Sequence, residues 1–266
     1  MSLKKKILLG ATAVLIVLAA ACGIYINDYY HAVESAQRVA ATFAADHACM
    51  EGDETLVFLP KDDEGNVKDC SGGADAGLIF YPGGKVEYTA YAPLMQQISE
   101  EGVLCILIKM PANLAVLDIR AAEGHREEFP EIEHWYVGGH SLGGSMVASY
   151  AAEHAHELEG LLLLAAYSTA DLTASGLDVL TIYGSEDGVL NMSKYDEYRQ
   201  NLPEETTTEL VIKGGNHAKF GDYGIQDGDG TGSISRLNQQ RQTAEAFVEI
   251  LLSERGGQNE PDGQEE

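Results

Sequence analysis

Positive charge is scarce in this chain. Against 42 aspartates and glutamates stand only 17 lysines and arginines, a formal net charge of −25. That balance excludes nucleic acid as a partner, because holding a phosphate backbone needs a basic surface. It keeps the chain soluble and favours neutral or cationic substrates over anionic ones. Cysteine is sparse as well. Cys22, Cys49, Cys70 and Cys105 form no C-x-x-C pair, so a structural zinc site is not expected. Cys105 lies within the apolar run VLCILI and reads as a buried, inert thiol. In an oxidising compartment Cys49 and Cys70 can pair, closing a loop worth about 3 kcal/mol; two free thiols are the alternative. Internal repeats are absent. Asp222, Asp227 and Asp229 lack the spacing of an EF-hand, which wants a glutamate at its twelfth position. No metal and no cofactor is therefore expected, and that stretch reads as a turn-rich loop shaping one wall of a pocket.

What is present begins at the N-terminus. Lys4, Lys5 and Lys6 precede a run without charge from Ile7 to Ile26. About 20 apolar residues suffice to cross a bilayer as a helix, and basic residues ahead of it keep that end in the cytoplasm. The expectation is a single-pass transmembrane helix over 7–26 with the rest of the chain outside the cell. Two other readings give the same side: signal-peptide cleavage after Ala19-Ala20-Ala21, or lipidation at Cys22 in a weak lipobox.

At 266 residues and 45% hydrophobic, the chain suits one sizeable core. Ala32 to His47 has the periodicity of an amphipathic helix, and Leu56 to Leu59 reads as a strand of an entry hairpin. From Gly77 onward, short apolar runs alternate with helical patterns. The runs are GLIFY (77–81), VLCILI (103–108), WYVGG (135–139), LLLLAAY (161–167), VLTIYG (179–184) and ELVIKG (209–214). The helical stretches are Tyr88–Glu100, Leu114–Glu123, Leu142–His154, Ser193–Asn201 and Ser235–Leu252. Strands apolar on both faces, alternating with helices, predict an α/β fold with a doubly wound, mostly parallel sheet. The chain then divides into a basic stub (1–6), the membrane segment (7–26), a linker helix with entry hairpin (27–76), the α/β domain (77–253) and a polar tail (254–266) expected to be disordered.

The pentapeptide Gly139-His140-Ser141-Leu142-Gly143 follows one of these strands and opens a helix. A serine on so sharp a turn needs small neighbours two positions away, and both are glycine. A serine hydroxyl needs a base. Of eight histidines, only His217 follows the last strand, in KGGNHAKFGDYG. The acid that orients it is expected after the preceding strand, where VLTIYGSEDGV places Asp187, with Glu186 beside it; Asp171 is the fallback. The order Ser141, Asp187, His217 is that of α/β hydrolases. An oxyanion hole needs two backbone N–H groups: Leu142, and either Gly84 or Lys85 from the loop Pro82-Gly83-Gly84-Lys85.

The segments YPGGKVEYTAYAPLMQQISEEGVLCILIKMPANLAVLD, GGHSLGG, IYGSEDGV and GGNHAKFGDYG together resemble the bacterial α/β-hydrolase family related to dienelactone hydrolase. The likeness runs from about Gly77 to Leu252. It implies an α/β-hydrolase fold, a Ser141–Asp187–His217 triad and hydrolysis of an ester or related acyl bond. Dienelactone hydrolase itself uses cysteine as nucleophile, so a dienelactone substrate does not follow. Only Ser168 to Asp178 separates two strands where lid domains enter this fold, so no large lid is expected. An open site suits a small-molecule or surface-presented acyl substrate. An acyltransferase on the same triad, or a non-catalytic envelope binding protein, are the rival functions.

Overall fold

A computed structural model describes residues 2–45, 55–61 and 73–252. Seven strands form one sheet: β1 (Thr55–Phe58), β2 (Ala76–Tyr81), β3 (Val103–Ile108), β4 (His134–His140), β5 (Gly160–Leu164), β6 (Asp178–Gly184) and β7 (Thr207–Ile212). Their spatial order is β1-β3-β2-β4-β5-β6-β7. Every pairing from β3 to β7 is parallel, and β1 runs antiparallel along β3. The helices are α1 (Leu3–Asn27), α2 (Glu34–Ala45), α3 (Ala92–Glu100), α4 (Leu142–His154), α5 (Met192–Tyr198) and α6 (Arg236–Ala246).

The continuous apolar runs are explained by burial on both faces. Strands β2, β3 and β5 are buried at every position. Alternate residues serve opposite layers, as strand geometry requires. Leu78, Phe80, Cys105 and Leu162 pack with Phe43 of α2, Leu94 and Ile98 of α3, and Phe247 beyond α6. Ile79, Leu104, Ile106 and Leu163 pack with Val147, Ala148 and Ala151 of α4. Each fully buried large aliphatic side chain stabilises the fold by about 1.5–3 kcal/mol. The far edge, β7, is less buried, with Thr208 and Val211 exposed and only Ile212 fully buried.

Several expectations are corrected. Among the described residues no helix is long and apolar enough to cross a membrane, so the transmembrane helix over 7–26 is not part of this fold. A helix does form over Leu3–Asn27. The first strand pairs with β3, not with its sequence neighbour β2, so there is no hairpin between them. Leu114–Glu123 is not a helix. Ahead of it a 3-10 turn at Pro111–Asn113 carries Ala112 and Asn113 in left-handed backbone angles, and the stretch itself holds only a short 3-10 turn at Ala115–Leu117. The turn that follows hangs on one side chain: Tyr81 Oη donates to Ile119 O (2.9 Å) and accepts from Ala122 N–H (2.7 Å). Beyond Ala246 the last helix widens into a π turn over Phe247–Leu252. Cys105 is buried with a free thiol, pushed up by desolvation, as expected. Cys49, Cys70 and the tail 254–266 lie outside the described residues.

Candidate active site

Ser141 stands between β4 and α4 with φ 53° and ψ −121°, a backbone conformation that non-glycine residues rarely take. Holding such a residue costs on the order of 1–3 kcal/mol, which its surroundings must supply. Its N–H donates to Leu164 O (2.9 Å) on the adjacent strand, and its carbonyl accepts from Ser145 N–H (3.1 Å). The flanking glycines are sterically required. A Cβ on Gly139 would lie 2.7 Å from Gly143 C, and one on Gly143 would overlap the carbonyl oxygens of Tyr81 and Pro82. The strand and helix touch backbone to backbone, and the serine side chain is pushed outward.

Asp187 and His217 come from the loops after β6 and β7, at the same carboxyl edge of the sheet. Asp187 Oδ1 accepts the N–H groups of Val189 (2.9 Å) and Leu190 (2.8 Å). Its other oxygen accepts His217 Nδ1–H at 2.9 Å, and both side chains are only 1% exposed. This bond assigns the imidazole proton to Nδ1 and leaves Nε2 as an acceptor. That Nε2 is buried and has no hydrogen-bond partner among the described residues. The His217 ring lies 4.5 Å, centroid to centroid, from the ring of His140, the residue immediately before Ser141. The imidazole is thus seated beside the serine turn. Asp171 is elsewhere: its carboxylate accepts Thr173 N–H and Oγ1–H at an exposed turn, and those bonds lower its pKa.

The loop after β2 separates its amides by use. Gly83 N–H donates to Tyr91 Oη (3.1 Å), and Lys85 N–H donates to Asn113 O (2.7 Å). Gly84 N–H has no partner among the described residues. A Cβ on Gly84 would sit 2.8 Å from Leu142 Cδ2, so Gly84 lies close against the Leu142 side chain at the start of α4. There, Leu142 N–H is one of the first-turn amides that a helix leaves unpaired. The Lys85 side chain turns away, with Nζ 3.1 Å from Asp28 Oδ2 and 4.4 Å from the Tyr25 ring centre.

Three further groups of residues have no counterpart in the sequence reading. His140 is buried behind the serine, and its Nδ1 lies 2.7 Å from Tyr91 Oη. Burial first, and then the neighbouring His217, hold the His140 pKa well below its ordinary value, against an opposing pull from the His217 backbone. Burial also pushes the Tyr91 phenol far up, against the pull of Gly83 N–H. Tyr91 therefore keeps its proton and donates it to a neutral His140. Secondly, the chain after α1 forms a strap along the Gly84 loop. Tyr30 N–H donates to Lys85 O (2.8 Å), Glu87 N–H to Tyr30 O (2.9 Å), and Val33 N–H to Asp222 O (2.8 Å). Thirdly, Asp229 joins the Asp187 and His217 loops. No local pattern in the sequence marks any of these contacts. Among the described residues no cluster of three histidine, cysteine or acidic side chains is placed to hold a metal.

A hydroxyl on a strained turn, a bare imidazole nitrogen and two unpaired amides at one sheet edge define the class of a hydrolase acting through its own side chains. The chain belongs to the alpha/beta hydrolase family, whose profile it matches over residues 77–241. No curated protein sequence matches it significantly. Solved structures do share its fold. Est1E from Butyrivibrio proteoclasticus superposes with a TM-score of 0.52 at 12% identity, covering 74% of this chain and 93% of that one. XC6422 from Xanthomonas campestris, described as an a/b serine hydrolase without lid, has a TM-score of 0.52 at 16% identity over 75% and 89%. Thermogutta terrifontis esterase 2, solved phosphonylated by cyclosarin, has a TM-score of 0.51 at 13% identity over 74% and 88%.

Proposed function

We propose that this hydrolase is a serine esterase, cleaving an ester or related acyl bond through a covalent acyl-enzyme. In this reading His217 Nε2 takes the proton of Ser141 Oγ as that oxygen attacks the acyl carbonyl. The carbonyl oxygen becomes an oxyanion held by the N–H groups of Leu142 and Gly84. Gly84 is preferred to Lys85 as second donor because the Lys85 amide is already committed to Asn113. One such donor is worth about 2.7–4 kcal/mol in the transition state. Asp187 fixes the imidazole and offsets the positive charge it gains. His217 then returns the proton to the leaving alkoxide, and water, deprotonated by the same nitrogen, releases the acid.

The single observation that carries the reading is the Asp187–His217 couple, buried and hydrogen-bonded, with its outer nitrogen unpartnered beside the Ser141 turn. The connection from β5 to β6, residues 165–177, carries no helix, which leaves the site open and suits short or surface-presented acyl groups. The likeness to an esterase phosphonylated by an organophosphate agrees with a reactive serine. A fluorophosphonate probe tests this. The wild-type chain is expected to label and Ser141→Ala to remain dark; an unlabelled wild type, or a labelled Ser141→Ala, overturns the proposal.

A further inference from the structure

Resting on that triad reading, we infer that Asp229 is a positioning residue for the Asp187–His217 couple. One carboxylate holds both catalytic loops. Its Oδ1 accepts the N–H groups of Gly188 (3.1 Å), His217 (3.2 Å) and Gly230 (2.8 Å), and its Oδ2 accepts Ala218 N–H (2.9 Å). Gly188 directly follows the acid, and His217 is the base itself. The spacing between the two loops is thereby set by a third group that touches neither the serine nor the space above it.

The backbones around this carboxylate leave no slack. A Cβ on Gly188 would lie 2.5 Å from Gly228 O, and one on Gly230 would overlap Glu186 O. Asn216, the residue before the base, adds a bond from its Nδ2–H to Gly230 O (2.7 Å). A carboxylate suits the task better than any neutral side chain. Four amides point at it, and only an ionised carboxyl is an acceptor at both oxygens.

The test uses the full chain and a chromogenic short-chain ester. Asp229→Asn keeps the shape, removes the charge and turns a donor toward an amide. Loss of loop spacing is expected to lower kcat by about ten- to a hundredfold, because sub-ångström misplacement of a base slows the step it serves. KM is expected to stay within about twofold, since Asp229 makes no contact with substrate in this arrangement. A residue that served stability alone would lower Tm and leave kcat per folded molecule unchanged. If Asp229→Asn does not fold, Asp229→Ser, smaller and also neutral, is read the same way. A folded variant with wild-type kcat overturns the inference, whatever its Tm. A wild-type chain that fails to label with fluorophosphonate overturns the triad reading instead, so the two failures are distinguishable.

Discussion

His140 is buried directly behind the Ser141 turn. Its position next to Ser141 follows from the motif, but its partner Tyr91 lies 49 residues away in sequence. In the proposed mechanism a charged imidazole there would repel the imidazolium formed on His217, and burial keeps His140 from charging. The consequence for stability has a definite sign. Above its ordinary pKa of 6.5, His140 is neutral folded and unfolded, so it adds no pH dependence. Below 6.5 the unfolded chain binds a proton that the folded chain refuses, and stability falls with pH. At pH 5.5, one unit below that value, this group costs the folded state on the order of 1 kcal/mol. Urea denaturation at pH 7.5 and 5.5 measures it: the wild type should lose on the order of 1 kcal/mol more than His140→Gln between the two. Equal losses would show that His140 is protonated in the folded state. At this scale the strained serine turn and the place of His217 at the same sheet edge were readable from the sequence, because the elbow and the last-strand histidine are local signals. Asp229 was not, since its role exists only where residues 188, 217 and 218 converge.

At the scale of elements, the site depends on how closely α4 lies on β4. Glycine is needed at 143 because the helix start meets the carbonyls of Tyr81 and Pro82 at the end of β2. Gly143→Ala is expected to cost about 3 kcal/mol or more, since neither backbone can move without disturbing the sheet. Gly124→Ala is the control. Gly124 has φ +85°, and nothing lies within 4 Å of the position its Cβ would take. It should cost only the left-handed backbone penalty of about 1–2 kcal/mol. Thermal unfolding of both variants compares them, and a Gly143→Ala as stable as Gly124→Ala would contradict the close approach. The alternating runs predicted β2 through β7 well, because burial on two faces writes itself as unbroken hydrophobicity. Leu114–Glu123 deceived the same reasoning. Its spacing is helical, but Val116 and Leu117 are half exposed and the backbone reverses at Ala112 and Asn113. Periodicity alone does not reveal this reversal, nor that the small Ala115 and Ala122 face the core while Val116 and Leu117 do not.

At the scale of the whole molecule, the chain carries a net charge of −25, and Lys85, beside the Gly84 loop, is paired with Asp28. Long-range attraction should therefore favour positively charged esters over negatively charged esters of the same acyl group. The Debye length falls from about 30 Å at 0.01 M salt to about 8 Å at 0.15 M, so the preference should shrink as salt is added. The expected result is a kcat/KM ratio, cationic over anionic, that falls several-fold across that range; a salt-independent ratio would mean that only local contacts discriminate. The sheet order belongs to this scale too. Placing β1 beside β3 closes the exposed edge of the parallel core with a strand that comes from before it in the chain.

By itself the amino-acid sequence determined the α/β architecture, the serine turn and the order of its two partners. Those features depend on residues close together in the chain: a period of two or of 3.6, glycines flanking a tight turn, a histidine after the last strand. The tertiary structure alone decided which amide stands free at the Gly84 loop, how Tyr91 and Asp229 brace the site, and where the first strand goes. Each of these depends on which loops meet at the carboxyl edge of the sheet, and a hydrogen bond between distant loops leaves no spacing in the sequence to be read.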